Sequence, residues 1–192
     1  MKKSIAILLL SAGLFTAKVS MAQTTSTSAS TSSSSSTGSV ANDTAAVNFT
    51  TQAALSDMQE IAAAKLALKS AKKASVKMYA AQMIKDHTKS SAEMKKILAS
   101  KQFTPPMPSP AAVAPDAMLT GVKGAQFDTA YMTMMLQDHV KAVQLFQNAA
   151  ANVQDPDLKA FAVKTLPVLQ QHLTMAKSIA SELNIKTTAM GK

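Results

Sequence analysis

Cysteine, tryptophan and arginine are all missing from this 192-residue chain. Without cysteine there are no disulfides, zinc–thiolate sites, iron–sulfur clusters or thiol catalysis. Without arginine there is no bidentate fork for phosphates or guanine edges, so nucleic acid is not an expected partner despite a formal charge of +9. Glycine is scarce, and Gly121 and Gly124 stand alone rather than in a phosphate-cradling loop. No serine sits in a G-x-S-x-G elbow, so no hydrolytic nucleophile is visible and no catalytic residue is assigned. Aromatics make up only 4% while methionine numbers 13, so a core must come from Ala, Leu and Met.

The N-terminus has the pattern of a secretory signal. Lys2 and Lys3 precede an apolar run from Ile5 to about Ala17, and Ser20-Met21-Ala22 supplies small residues for cleavage, giving residues 1–22 as a removed leader. The run is too short to span a bilayer stably. Its removal takes away Lys2, Lys3 and Lys18 and lowers the charge from +9 to +6. The expected location is outside the cytoplasm: the periplasm first, with secretion or peripheral outer-membrane attachment as alternatives.

From Thr24 to Thr37, 13 of 14 residues are Ser or Thr. Such a stretch has nothing to bury, so residues 23–47 are expected to be a disordered tether. The folded domain is expected over 48–184, with 185–192 as a tail.

Four segments of the domain carry helical spacing, and none alternates with period two. The first, from about Phe49 to Ala71, places Ala53, Asp57, Glu60, Ala64, Ala67 and Ala71 on one stripe. The second, from about Val76 to Ser100, has Val76, Ala80, Met83, His87, Met94 and Leu98. The third, from about Gln126 to Ala151, has Asp128, Tyr131, Met135, His139, Ala142, Phe146 and Ala149. The fourth starts at Asp155-Pro156 and runs to about Leu183, carrying Leu158, Phe161, Thr165, Leu169, His172, Met175 or Ala176, and Ile179 inward. Pro167 predicts a kink within it. The first two and the last two helices are joined tightly. Between the pairs lies Lys101 to Ala125 with five prolines. A helix of 25 residues is roughly 37 Å long, and this segment can reach that far. The expectation is an all-α, ferritin-like four-helix bundle with a long Pro-rich connection between helices two and three, up-down-up-down order being the alternative.

Each histidine lies mid-helix on an apolar stripe, and two share their context. Met83-Ile84-Lys85-Asp86-His87 matches Met135-Leu136-Gln137-Asp138-His139, and Tyr79 and Tyr131 each precede their histidine by eight residues. A duplicated hairpin would instead relate helix two to helix four. Helix one has no histidine but carries Glu60 among alanines, where a lone carboxylate needs a partner. Three imidazoles and one carboxylate suit a borderline divalent ion such as Zn, Cu, Fe or Mn. Glu60, His87, His139 and His172 are therefore the candidate ligands, with Asp86, Asp128 and Asp138 as supporting groups. The bland alternative is a hydrogen-bonded polar layer that sets helix register. No Glu-x-x-His spacing is present, which argues against a di-iron centre. The cluster Met132, Met134 and Met135 raises copper(I) binding as a further reading, against plain core filling.

Lysines concentrate in the first hairpin, with 10 against 4 acids from Asn48 to Lys101 and 5 against 6 from Gln102 to Asn184. This is a solvated face, or a surface for an anionic envelope.

Glu60, Met83 with Asp86-His87, the Gly124-Ala125-Gln126-Phe127-Asp128 start with Tyr131, Asp138-His139, and Leu166-Pro167 with His172 together resemble a large bacterial family of exported proteins of unknown function. Its members are often described as outer-membrane or periplasmic and are grouped with the ferritin-like superfamily. The resemblance implies a four-helix ferritin-like bundle and an exported location, and implies no reaction. The functions expected are metal binding at a mid-bundle Glu/His layer or, alternatively, a non-catalytic envelope or stress-associated role.

Overall fold

In the computed structural model, the described residues are 39–106, 113 and 117–186. The expected leader, most of the tether and residues 187–192 lie outside them. Among the described residues the chain forms four α-helices, α1 (Thr44–Ser70), α2 (Ala74–Ser100), α3 (Gly124–Asn152) and α4 (Pro156–Glu182), and no strand. α1 begins at Thr44, four residues ahead of the expected domain start at Asn48. Asp43 supplies the N-cap by accepting from the Ala46 amide at 3.1 Å, and Val40 before it is buried. Asp155 caps α4 in the same way, accepting from Asp157 and Leu158 with Pro156 in the first turn. α4 continues through Pro167, whose ring lies on its exposed side.

The helix ends fix the topology. The Asp128 carboxylate near the start of α3 accepts the Lys72 and Lys73 amides of the α1–α2 turn, both at 2.9 Å. Gly124 bridges Ala71 there with φ of 64°, a left-handed value that glycine adopts without strain. Ser75 at the start of α2 reaches Glu182 at the end of α4. At the opposite end, Asp43 accepts the Gln154 amide at 2.7 Å, and Lys101 pairs with Asp155 and Asp157 at 2.8 and 2.7 Å. α2 and α3 therefore run in the same direction, and the connection between them leads from one end of the bundle to the other. This excludes up-down-up-down order and matches a bundle with one crossover. α1 packs on α2 and α3, and α4 packs on α3 and α2.

The stripes expected for α1, α2 and α3 are buried throughout. They form two apolar clusters rather than one. One holds Ala63, Ala67, Tyr79, Met83, Phe127, Tyr131 and Met135; the other holds Phe49, Ala53, Met94, Leu98, Phe146, Phe161 and Leu169. In the second, Phe146 meets Phe49 edge-on at 5.0 Å between centroids. Along every helix the break between clusters falls at the same level: between Ala53 and Ala63, Met83 and Met94, Leu136 and Ala142, and Leu169 and Ala176.

Candidate metal centre

That break is filled by polar side chains. α1 contributes Asp57 and Glu60, one turn apart on its alanine stripe. α2, α3 and α4 contribute His87, His139 and His172, and all five are buried. The repeat between α2 and α3 now has a geometric meaning. Because these helices run the same way, Tyr79 and Tyr131 share one level and His87 and His139 the next, with centroids 6.3 and 5.8 Å apart.

Each imidazole uses its outer nitrogen on the protein. His87 Nδ1 donates to Asp57 Oδ1 at 2.7 Å, and Ser91 donates to the other Asp57 oxygen at 2.7 Å. His139 Nδ1 donates to the Met135 carbonyl at 3.0 Å, which fixes its tautomer because a carbonyl can only accept. His172 Nε2 donates to Asp86 Oδ2 at 2.9 Å. Carboxylate or carbonyl partners on the far nitrogen are what orient metal-ligating histidines.

The inner atoms then face one another. His87 Nε2 lies 3.0 Å and His139 Nε2 3.5 Å from Glu60 Oε2, and His139 Nε2 lies 3.4 Å from His172 Nδ1. The edge of a ligand tetrahedron around an ion at 2.0–2.1 Å is about 3.3 Å. The three histidines offer nitrogens that all lie within 4.8 Å of one another. Glu60 Oε2 and His87 Nε2, though close, are not aligned as a hydrogen bond, and both are buried without such a partner. The donor set therefore fits a divalent ion of intermediate softness.

Charge coupling in this layer is strong. Burial alone would raise Glu60, but the interactions with His87 and His139 outweigh it and hold the carboxyl at about 2. Burial alone would lower His87, but Glu60 and Asp57 outweigh it and lift the ring to about 10. Burial holds His172 down at about 4, against its hydrogen bond to Asp86. Tyr79 and Tyr131 have buried hydroxyls without a hydrogen-bond partner, and burial together with the charge of Glu60 pushes both phenols up.

The family model described as Domain of unknown function (DUF4142) matches residues 22–179. The chain belongs to this family. No curated protein and no solved structure matches it.

Within this DUF4142 domain, the four candidate ligands Glu60, His87, His139 and His172 come together, and Asp86 stands behind His172 as a supporting group. The other two supporting candidates do not. Asp128 is committed to the backbone amides of Lys72 and Lys73 at the end of the bundle. Asp138 pairs with Lys141 at 3.2 Å, with a third of its side chain exposed. Its place beside His139 in sequence turns it off the stripe. Asp57, on the stripe but not among the expected site residues, is the group that orients His87. The signal for it was present: a second carboxylate one turn from Glu60 on an alanine face. Met132 and Met135 are buried in the apolar cluster, Met134 packs against it, and the role of Met135 toward the layer is through its carbonyl.

Proposed function

We propose that this protein is an exported, ferritin-like bundle that binds one divalent metal ion, from among Zn, Cu, Fe and Mn, at Glu60, His87, His139 and His172. The observation that carries this is the arrangement of the imidazoles. Each spends its outer nitrogen on a carboxylate or carbonyl, the three rings offer nitrogens within 4.8 Å of one another, and those of His87 and His139 lie 3.0 and 3.5 Å from Glu60, between two apolar clusters. One carboxylate with three imidazoles, and no Glu-x-x-His pair, favours a single ion over a di-iron pair. Export is supported by the leader pattern of residues 1–22. The lysines of α1 and α2 are exposed and support contact with an anionic envelope surface.

The competing reading is a structural layer in an envelope or stress-associated protein, favoured by the position of His87 between Asp57 and Glu60. Elemental analysis of protein purified from the periplasm without chelators separates the two, paired with melting in EDTA. The proposal expects a near-stoichiometric metal, lost in the double variant His87→Ala/His139→Ala. At a thousandfold excess over Kd the ion adds about 4 kcal/mol, so a chelator should lower Tm by about 10 °C. Metal-free protein whose Tm ignores added Zn, Cu, Fe and Mn would make the layer structural.

A further inference from the structure

A cavity of about 470 Å³ opens on the flank of the bundle between α2 and α4, the most loosely packed of the four adjacent helix pairs. Its lining includes Met78, Tyr79, Gln82, Asp86, His172 and Met175. Two of these belong to the polar network of the centre and a third, Tyr79, lies edge-on to His139. The cavity between α1 and α2 beside Met58 and Met94, and the one between α1 and α3 beside Phe49 and Gln144, include none of the four ligands.

Exposure singles out the same side. The side chains of Glu60, His87, His139, His172 and Asp57 are 8% exposed or less, whereas that of Asp86 is 21% exposed. Among the carboxylates and imidazoles of the network, Asp86 is therefore the one most open to water. His172 forms the wall behind it, with Nε2 on Asp86 and Nδ1 turned to the other ligands. Gln82 donates to the same Asp86 oxygen that His172 uses, and neither of these two bonds engages Oδ1. Six waters occupy roughly 180 Å³ at about 30 Å³ each, so the cavity has room for a hydrated ion.

We infer that the α2–α4 cavity is the port through which a hydrated divalent cation reaches and leaves the buried centre, with Asp86 as its first carboxylate contact and His172 as the ring that passes it inward. This rests on the centre being a metal site. A port lies on the path in both directions, so narrowing it slows uptake and release by the same factor and leaves affinity unchanged. Damage to the ligands changes affinity instead.

The test is stopped-flow uptake and chelator-driven release of Co²⁺ by the full chain, read by its visible absorption. Ser178→Trp, at an exposed position of the lining, should slow both rates at least tenfold with stoichiometry and Kd unchanged. Met78→Trp, at a side chain that is 67% exposed, is a second plug should the first not fold. Gln144→Trp, in the cavity between α1 and α3, should leave the rates alone. Folded plug variants with unaltered rates would overturn the port, as would a changed Kd. Wild-type protein that takes up no Co²⁺, nor any of the four metals above, would overturn the metal centre itself.

Discussion

His139 Nε2 and His172 Nδ1 face each other at 3.4 Å, and each ring has already given its other nitrogen to an acceptor, the Met135 carbonyl and the Asp86 carboxylate. In the neutral rings two lone pairs are therefore aimed at one place, with the Glu60 carboxylate 3.5 Å from the first. A cation placed there satisfies all of them at once. The metal-free layer has a partial substitute, the proton on His87, which lies between Glu60 and Asp57.

An ion that takes His87 Nε2 as a ligand must displace that proton. With His87 lifted to about 10, binding near neutral pH should release about one proton per ion. Affinity should then rise about tenfold per pH unit between pH 6.5 and 8. Titration calorimetry in buffers of different ionisation enthalpy reads both quantities, and a proton count near zero would place His87 outside the ligand set.

Stability of the metal-free protein should peak near pH 6.5. His87 is raised above its ordinary 6.5, so its contribution is full below pH 6.5 and is lost as pH climbs toward 10. His172 is lowered to about 4, so the fold loses stability as pH falls from 6.5 toward 4 and the unfolded ring takes up a proton. Glu60, lowered to about 2, contributes above pH 4.5 and loses that contribution as pH falls further. Urea midpoints measured in EDTA from pH 4 to 10 should trace this dome. A midpoint that keeps rising from pH 6.5 to 9 would contradict the placement of the proton on His87.

Asp57→Asn keeps the shape of the side chain but withdraws a full carboxylate from His87 Nδ1. Loss of an outer partner of a ligating histidine should weaken metal binding 10–100-fold. Helical content should be kept, and a competition assay with a chromophoric chelator would measure the change. An unaltered affinity would show that Asp57 serves the fold alone.

Asp128→Ala should separate fold from site. The carboxylate accepts two backbone amides of the α1–α2 turn, and hydrogen bonds to a charged group contribute about 1.5–3 kcal/mol each. A loss of about 3 kcal/mol is expected in denaturant unfolding, with metal stoichiometry at the centre unchanged. Loss of stoichiometry in folded protein would return Asp128 to the site.

Much of this molecule was readable from spacing alone. Burial in a helix depends on which residues recur every three or four positions. The stripes through Asp57, Glu60, His87, His139 and His172 could therefore be drawn before any contact was known. The caps at Asp43 and Asp155 act within one turn, and the second was legible as Asp155-Pro156. The first fell inside the tether drawn from the Ser/Thr run of 24–37, although residues 40–47 are mostly apolar. Asp86 and Asp138 show the limit of local pattern. Both precede a histidine by one residue, yet Asp86 meets a histidine from another helix and Asp138 meets a lysine on its own.

Local periodicity decided that the described domain has four helices, which side of each is inward, and that three imidazoles and the Glu60 carboxylate lie on those sides. These are properties of 3.6 residues per turn and need no partner. Only the packed bundle decided that α2 and α3 run the same way, which turns the Tyr–His repeat into two stacked levels. Packing also decided that Asp57 orients His87, that Asp86 orients His172, and that Asp128 is a clasp at the end of the bundle. Those pairings join residues 30 to 86 positions apart in the chain, and the docking of one helix on another is what brings them within hydrogen-bond distance.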